Sequence, residues 1–220
     1  GDGKPDILNT SIDFDVEPPV RWLALHPQDA QGKFPATPSQ IWSLDPRACA
    51  LCFGDFLPGG GVEAGFFAPD GVYVYPWGRT AVTEDPVKLL HTRTYFAHPS
   101  DRSMPVAGWR GDLNNDARDD LIVPTPDGYK ICFQTAAGRF GRVSAIESDV
   151  KQKLLAVKRY GFTSDLLASL FTYQEDLPRV TPVDLNGDGL VDLVSISGNV
   201  LTAWHQRQAM EFKSALGWSR

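Results

Sequence analysis

The sequence predicts an all-β fold of repeated four-stranded antiparallel sheets, β-propeller blades, about three and a half to four of them in 220 residues. Three observations carry this. Two segments share the pattern D-x-N-x-D-x-x-x-D ahead of an apolar run. One contains Asp112, Asn114, Asp116 and Asp120; the other contains Asp184, Asn186, Asp188 and Asp192. Second, the spacing is regular. Residues 54–75 align without gaps to 111–132, placing Asp55 on Asp112, Asp70 on Asp127 and Gly71 on Gly128, an offset of 57. From Asp112 to Asp184 is 72 residues, the same period with an insertion of 15. Third, the 20 Gly and 17 Pro exceed average usage, which fits many turns and few long helices.

The parts of each unit come in one order. An apolar stretch leads into the Asp-rich loop, at 48–53, 104–109 and 179–183. An apolar strand leaves it, at 7–8, 65–67, 121–123 and 193–196. A tight-turn dipeptide follows: Asp70-Gly71, Asp127-Gly128 or Gly198-Asn199. The next strand alternates, at 20–25, 72–75, 129–133 and 200–204. A fourth strand is expected around Phe34, Phe140 or Phe212. The blades then cover about 1–45, 46–103, 104–177 and 178–220 of one propeller domain or fragment. At the chain start, Asp2 and Asp6 stand where Asp188 and Asp192 stand, so the first blade is expected to lack its first strand. A seven-bladed ring of such units needs about 400 residues, so the chain reads as part of a larger propeller. The missing blades would come from residues absent here, another chain or self-association. A closed four-bladed ring is the alternative.

The insertion falls at 148–176. There Val150, Leu154 and Val157 recur at helical spacing, Gly161 is placed to end that helix, and Thr163 or Ser164 could cap a second short one through Phe171. Lys151, Lys153, Lys158 and Arg159 read as its solvated face, with a partner-docking helix as the alternative. The net charge of -6 argues against a nucleic-acid binder held by phosphate contacts. No apolar run approaches the roughly 18 residues of a membrane-spanning helix. Three cysteines are too few for a disulfide scaffold. Cys49 and Cys52 form a lone CxxC, read as small apolar residues, with a local disulfide or redox pair as the alternative. The four histidines, His26, His91, His98 and His205, show no metal-binding spacing. No G-x-S-x-G, P-loop or G-x-G-x-x-G occurs, so no catalytic constellation is visible.

Three carboxylates and an amide within nine residues repel unless a cation neutralises them. An all-oxygen donor set selects a hard ion, Ca²⁺ over zinc or copper. Side chains at positions 1, 3 and 5, a backbone carbonyl at 7 and the Asp at 9 make up that set. An EF-hand would need flanking helices and Glu at position 12, where this chain has Val123 or Ser195. A solvated Asx turn without metal is the alternative.

With these loops and the apolar strands that follow them, the sequence resembles the FG-GAP repeat, also called VCBS, of integrin α-subunit propellers and many bacterial surface proteins. The resemblance covers nearly the whole chain. It implies one Ca²⁺ per complete loop, two in all. The ligands would be Asp112, Asn114, Asp116 and Asp120 with the carbonyl of Arg118, and Asp184, Asn186, Asp188 and Asp192 with the carbonyl of Leu190. The FG and GAP flanks are absent as such. In the degenerate copy Leu57, Gly59 and Glu63 stand in for Asn, Asp and Asp, so that blade is expected to hold no calcium, and removal of Glu63 to do little. Ala117 replaces the glycine of the turn, which costs on the order of 1 kcal/mol if the position is left-handed.

The function expected is a non-catalytic, calcium-stabilised propeller that mediates protein–protein interaction or adhesion. One alternative is a carbohydrate-binding propeller with Trp22, Trp77, Tyr73, Tyr75 or Trp204 stacking on sugars, where the competing reading packs these rings between blades. The other is the propeller part of a polysaccharide-degrading enzyme or a phospholipase. Calcium sites of extracellular modules bind at roughly 10⁻⁴–10⁻³ M, which points to an extracellular, cell-surface or periplasmic location.

Overall fold

The computed structural model describes residues 4–16, 19–59, 61–76, 85–97, 99, 104–135, 139–147, 179–197, 199–207 and 210–219. Among them every regular element is a strand, and the strands form four antiparallel sheets. No helix long and apolar enough to cross a membrane occurs among the described residues. The helical insertion expected at 148–176 lies outside them, as do Trp77 and His98.

The first sheet holds β1 (Ile7–Asp13), β2 (Val20–His26) and β3 (Gln40–Ser43). The second holds β4 (Ala50–Gly54), β5 (Glu63–Ala68), β6 (Gly71–Tyr75) and β7 (Val87–His91). The third holds β8 (Arg110–Gly111), β9 (Asp120–Thr125), β10 (Gly128–Thr135) and β11 (Arg139–Glu147). The fourth holds β12 (Arg179–Val183), β13 (Asp192–Ser197), β14 (Val200–Arg207) and β15 (Glu211–Ser219). Strands pair in chain order, each with the next. The repeat spacing reappears in the strand starts: β5 to β9 and β6 to β10 are 57 residues, and β9 to β13, β10 to β14 and β11 to β15 are 72.

The chain divides into two compact units, Gly1–Ile146 and Glu147–Arg220. In the first unit, Leu23 and Trp42 of the first sheet form one buried cluster with Leu51, Ala64, Phe66, Tyr73 and Tyr75 of the second. Phe66 and Tyr73 are partners across β5 and β6, and their rings stack at 5.2 Å. Phe67 points to the opposite face, where it meets Trp109 edge-on at 5.1 Å and Phe96 at 6.1 Å. Both faces of the second sheet are therefore covered, and every residue of β5 and β6 is buried. That is why β5 reads Glu-Ala-Gly-Phe-Phe-Ala rather than as a polar–apolar alternation. In the second unit the fourth sheet buries Val180, Leu193, Ala203 and Trp204.

Three elements differ from expectation. Residues 104–109 form no strand ahead of β9. Leu51 N–H donates to Pro105 O at 2.8 Å and Ala107 N–H to Leu51 O at 2.7 Å, so this segment lies parallel beside β4 and leaves β8 two residues long. The hairpin loops are Pro69-Asp70 and Pro126-Asp127, because Ala68 pairs with Gly71 and Thr125 with Gly128. Proline presets φ for the first loop position, and the glycine opens the next strand. At Gly71 a Cβ would run into the carbonyl oxygen of Leu90 on β7. The last strand of the first sheet is β3 rather than a segment around Phe34, which is exposed in the loop before it.

Candidate metal centres

Each Asp-rich loop joins the first two strands of a sheet, 112–119 between β8 and β9 and 184–191 between β12 and β13. Such a loop must turn sharply, and two left-handed residues do this. They are Asn115 (φ 61) and Ala117 (φ 64) in the first loop, and Gly187 (φ 75) and Gly189 (φ 82) in the second. Ala117 thus occupies the strained position that the sequence implied.

The two loops share four bonds. Asn114 Oδ1 accepts from Asp116 N–H at 3.0 Å, and Asn186 Oδ1 from Asp188 N–H at 2.9 Å. Asp116 Oδ1 accepts from Arg118 N–H at 3.0 Å, and Asp188 Oδ1 from Leu190 N–H at 2.8 Å. Asp112 Oδ2 accepts from Ala117 N–H at 2.8 Å, and Asp184 Oδ2 from Gly189 N–H at 3.1 Å. The amide of Asn114 donates to Asp116 Oδ2 at 3.1 Å, and that of Asn186 to Asp188 Oδ2 at 3.0 Å. The structure therefore brings positions 1, 3 and 5 together within each loop.

The Asp at position 9 stands apart. Asp120 and Asp192 are 0% exposed and open β9 and β13. One oxygen accepts from the amide seven residues back, Leu113 at 2.9 Å or Leu185 at 3.1 Å. The other accepts from the amide fourteen residues on, Gln134 at 2.7 Å or Gln206 at 2.8 Å. This carboxylate staples the loop to its own sheet, and at Asp192 the oxygen that meets Leu185 also meets His205 Nδ1 at 2.9 Å. Burial first, and then the charges of Asp116 and Asp112, push the Asp120 carboxyl up to about 6.

The donor chemistry fits a hard divalent cation: oxygen atoms alone, with three carboxylates sharing a small volume. The side-chain directions are those of a loop bonded to itself. No three Asp, Glu, His or Cys groups among the described residues are gathered as a metal centre. To hold an ion, the Asn114 and Asn186 amides would rotate off Asp116 and Asp188. The first loop has a further competitor, since Arg118 Nη1 lies 2.9 Å from Asp116 Oδ2, whereas the second loop has Leu190 at that position.

The degenerate copy keeps the staple without the cluster. Glu63 is 6% exposed, and its Oε2 accepts from Phe56 N–H at 2.8 Å and Leu57 N–H at 3.3 Å. Burial holds its carboxyl above the usual range. Glu63 thus fills the place of Asp120 and Asp192, and the expectation that its loss would do little is corrected by the two amides it satisfies. The degenerate loop is also tied to the neighbouring complete one. Asp55 N–H donates to Asp119 Oδ2 at 3.0 Å, Arg110 clamps Asp119 at 2.8 Å, and Gln134 Nε2 reaches Asp55 O at 3.2 Å.

Sequence reasoning missed Gln134 and Gln206, although both stand fourteen residues after the last Asp of their loops. Gln206 Oε1 also accepts from Val191 N–H at 3.2 Å. It missed His205 too, whose Nδ1 is 2.9 Å from Asp192 Oδ2. The aromatics considered for sugar stacking are largely inside: Tyr73, Tyr75 and Trp204 are buried, and Trp22 is half-buried. Tyr73 is held at the end of its hairpin by Asp70 (2.7 Å) and Arg47 (3.0 Å), with Lys88 Nζ 2.8 Å from the same Asp70 oxygen. Cys49, Cys52 and Cys132 are free, buried thiols, and burial pushes Cys52 and Cys132 up to about 12. The CxxC is therefore part of the core rather than a disulfide. No family model and no curated protein matches the chain.

Proposed function

We propose that the chain is a calcium-stabilised, non-catalytic β-propeller segment of the FG-GAP or VCBS kind that binds a protein partner outside the cell or at its surface. The observation that carries this is the recurrence, 72 residues apart, of one nine-residue acidic loop with four matching internal bonds at the same place in two sheets. Two unrelated turns would not share four matching bonds, and turns alone need no such crowd of carboxylates. Asp112, Asn114, Asp116, Asp120 and the Arg118 carbonyl would hold one ion. Asp184, Asn186, Asp188, Asp192 and the Leu190 carbonyl would hold the other. The ions supply neutralising charge and pin the turns, so that each loop is a firm surface for a partner. Further blades, from residues absent here, another chain or a second copy, would complete the ring.

Calorimetric titration tests the reading, with two calcium ions per chain expected. An ion that binds only the folded state stabilises by about 2.7 kcal/mol at 100 times its Kd, so chelator should lower the melting temperature and Ca²⁺ restore it. A melting curve unchanged by chelator and calcium, with no heat of binding, would overturn it.

A further inference from the structure

We infer that Asn186 is a site of spontaneous modification, losing its side-chain amide to attack by the backbone nitrogen of Gly187. The inference goes beyond the proposed function and concerns the loop in its metal-free form. The chain has five asparagines, at 9, 114, 115, 186 and 199, and only Asn186 precedes a glycine. Closing the five-membered ring brings the following backbone nitrogen onto the side-chain Cγ, and a Cβ on that following residue crowds the approach. Gly187 has none, nothing lies within 4 Å of where one would be, and both residues are exposed.

The loop also polarises both reacting groups. Gly187 N–H donates to Asp184 Oδ1 at 2.8 Å, which draws the proton away from the attacking nitrogen. Asn186 Oδ1 accepts from Asp188 N–H at 2.9 Å, which draws electrons from the carbonyl under attack. The first loop keeps the bond to the amide oxygen, from Asp116 N–H to Asn114 Oδ1, but differs on the side of the attacking nitrogen. Its next residue is Asn115, and the matching oxygen, Asp112 Oδ1, is taken by Asp116 N–H at 3.0 Å.

In the reaction the Gly187 nitrogen bonds to Asn186 Cγ and gives up its proton. The Cγ–Nδ2 bond breaks, and ammonia leaves carrying a proton. Water then opens the cyclic imide at either carbonyl. One opening leaves aspartate, adding a carboxylate to an already acidic loop. The other leaves isoaspartate, which adds a methylene to the backbone of a turn held by Gly187 (φ 75) and Gly189 (φ 82).

The test incubates the whole chain in mildly alkaline buffer without added metal, then maps proteolytic peptides by mass spectrometry over time. Replacement of the amide NH₂ by OH, as aspartate and isoaspartate, is expected at Asn186 before it is measurable at the other four asparagines. Gly187→Asn installs the residue that the first loop carries in the same left-handed conformation, and is expected to suppress the change; circular dichroism checks that it folds. Earlier conversion at another asparagine overturns the inference, as does an unchanged rate in folded Gly187→Asn. The ranking in the unsubstituted chain decides by itself if the variant does not fold.

Discussion

Glu63 offers the sharpest quantitative test, because its loop has Leu57 and Gly59 where the complete loops carry Asn and Asp, so the effect of its removal should be structural. Glu63→Ala takes the acceptor from two amides. Phe56 is fully buried, so its N–H loses its partner without gaining water, while Leu57 is half-buried and recovers some. Each unsatisfied buried group costs about 1–3 kcal/mol, so the substitution should cost about 2–4 kcal/mol. Glu63→Gln keeps an acceptor oxygen and sheds a charge that burial disfavours, so its cost should stay below about 1 kcal/mol. Because the folded-state carboxyl sits above its usual range, its contribution is fullest below pH 4.5 and is lost as the pH rises through the raised value. Glu63→Gln should flatten that dependence. Urea unfolding followed by tryptophan fluorescence and circular dichroism reads the effect. With m of about 2–3 kcal/mol/M, the alanine midpoint should fall by roughly 1 M. An alanine midpoint equal to wild type, or a glutamine variant as damaged as alanine, would refute the staple.

Three further outcomes are expected. Ala117→Gly removes a left-handed alanine worth about 1 kcal/mol and should tighten calcium binding by the first loop, read by titration. Asp188→Ala removes the acceptor for Leu190 N–H and an acidic ligand, so the calcium stoichiometry should fall from two to one while the first loop still binds. Asp70 is held down to about 2 by its hydrogen bonds from Lys88 and Tyr73. Its contribution is therefore present above pH 3.8 and lost as the pH falls toward 2, and Asp70→Asn should cost under about 1 kcal/mol at neutral pH because the pair is exposed. Melting temperature against pH for both chains checks this.

The sequence by itself determined the features whose causes are local. The Asp and Asn side chains at positions 1, 3 and 5 of each loop are satisfied by bonds within the loop, so the loops were legible, down to the strained Ala117. The 57-residue offset carried over to the starts of β5 and β9 and of β6 and β10, because those strands begin where the loop or the hairpin releases the chain. The tertiary structure decided what depends on partners far along the chain. Whether Glu63 is a dispensable surface acid or a buried staple depends on what covers β5, and the string of letters does not say that both of its faces are covered. Residues 104–107 bond to β4 because Leu51 presents its amide and carbonyl there, more than fifty residues earlier in the chain. Tyr73, Tyr75 and Trp204 were open to both a packing and a sugar-binding reading, packing being the favoured one, until burial assigned them to the core. Local hydrogen bonding is written in consecutive residues, whereas burial is set by which surfaces meet, and that exists only once the sheets have packed.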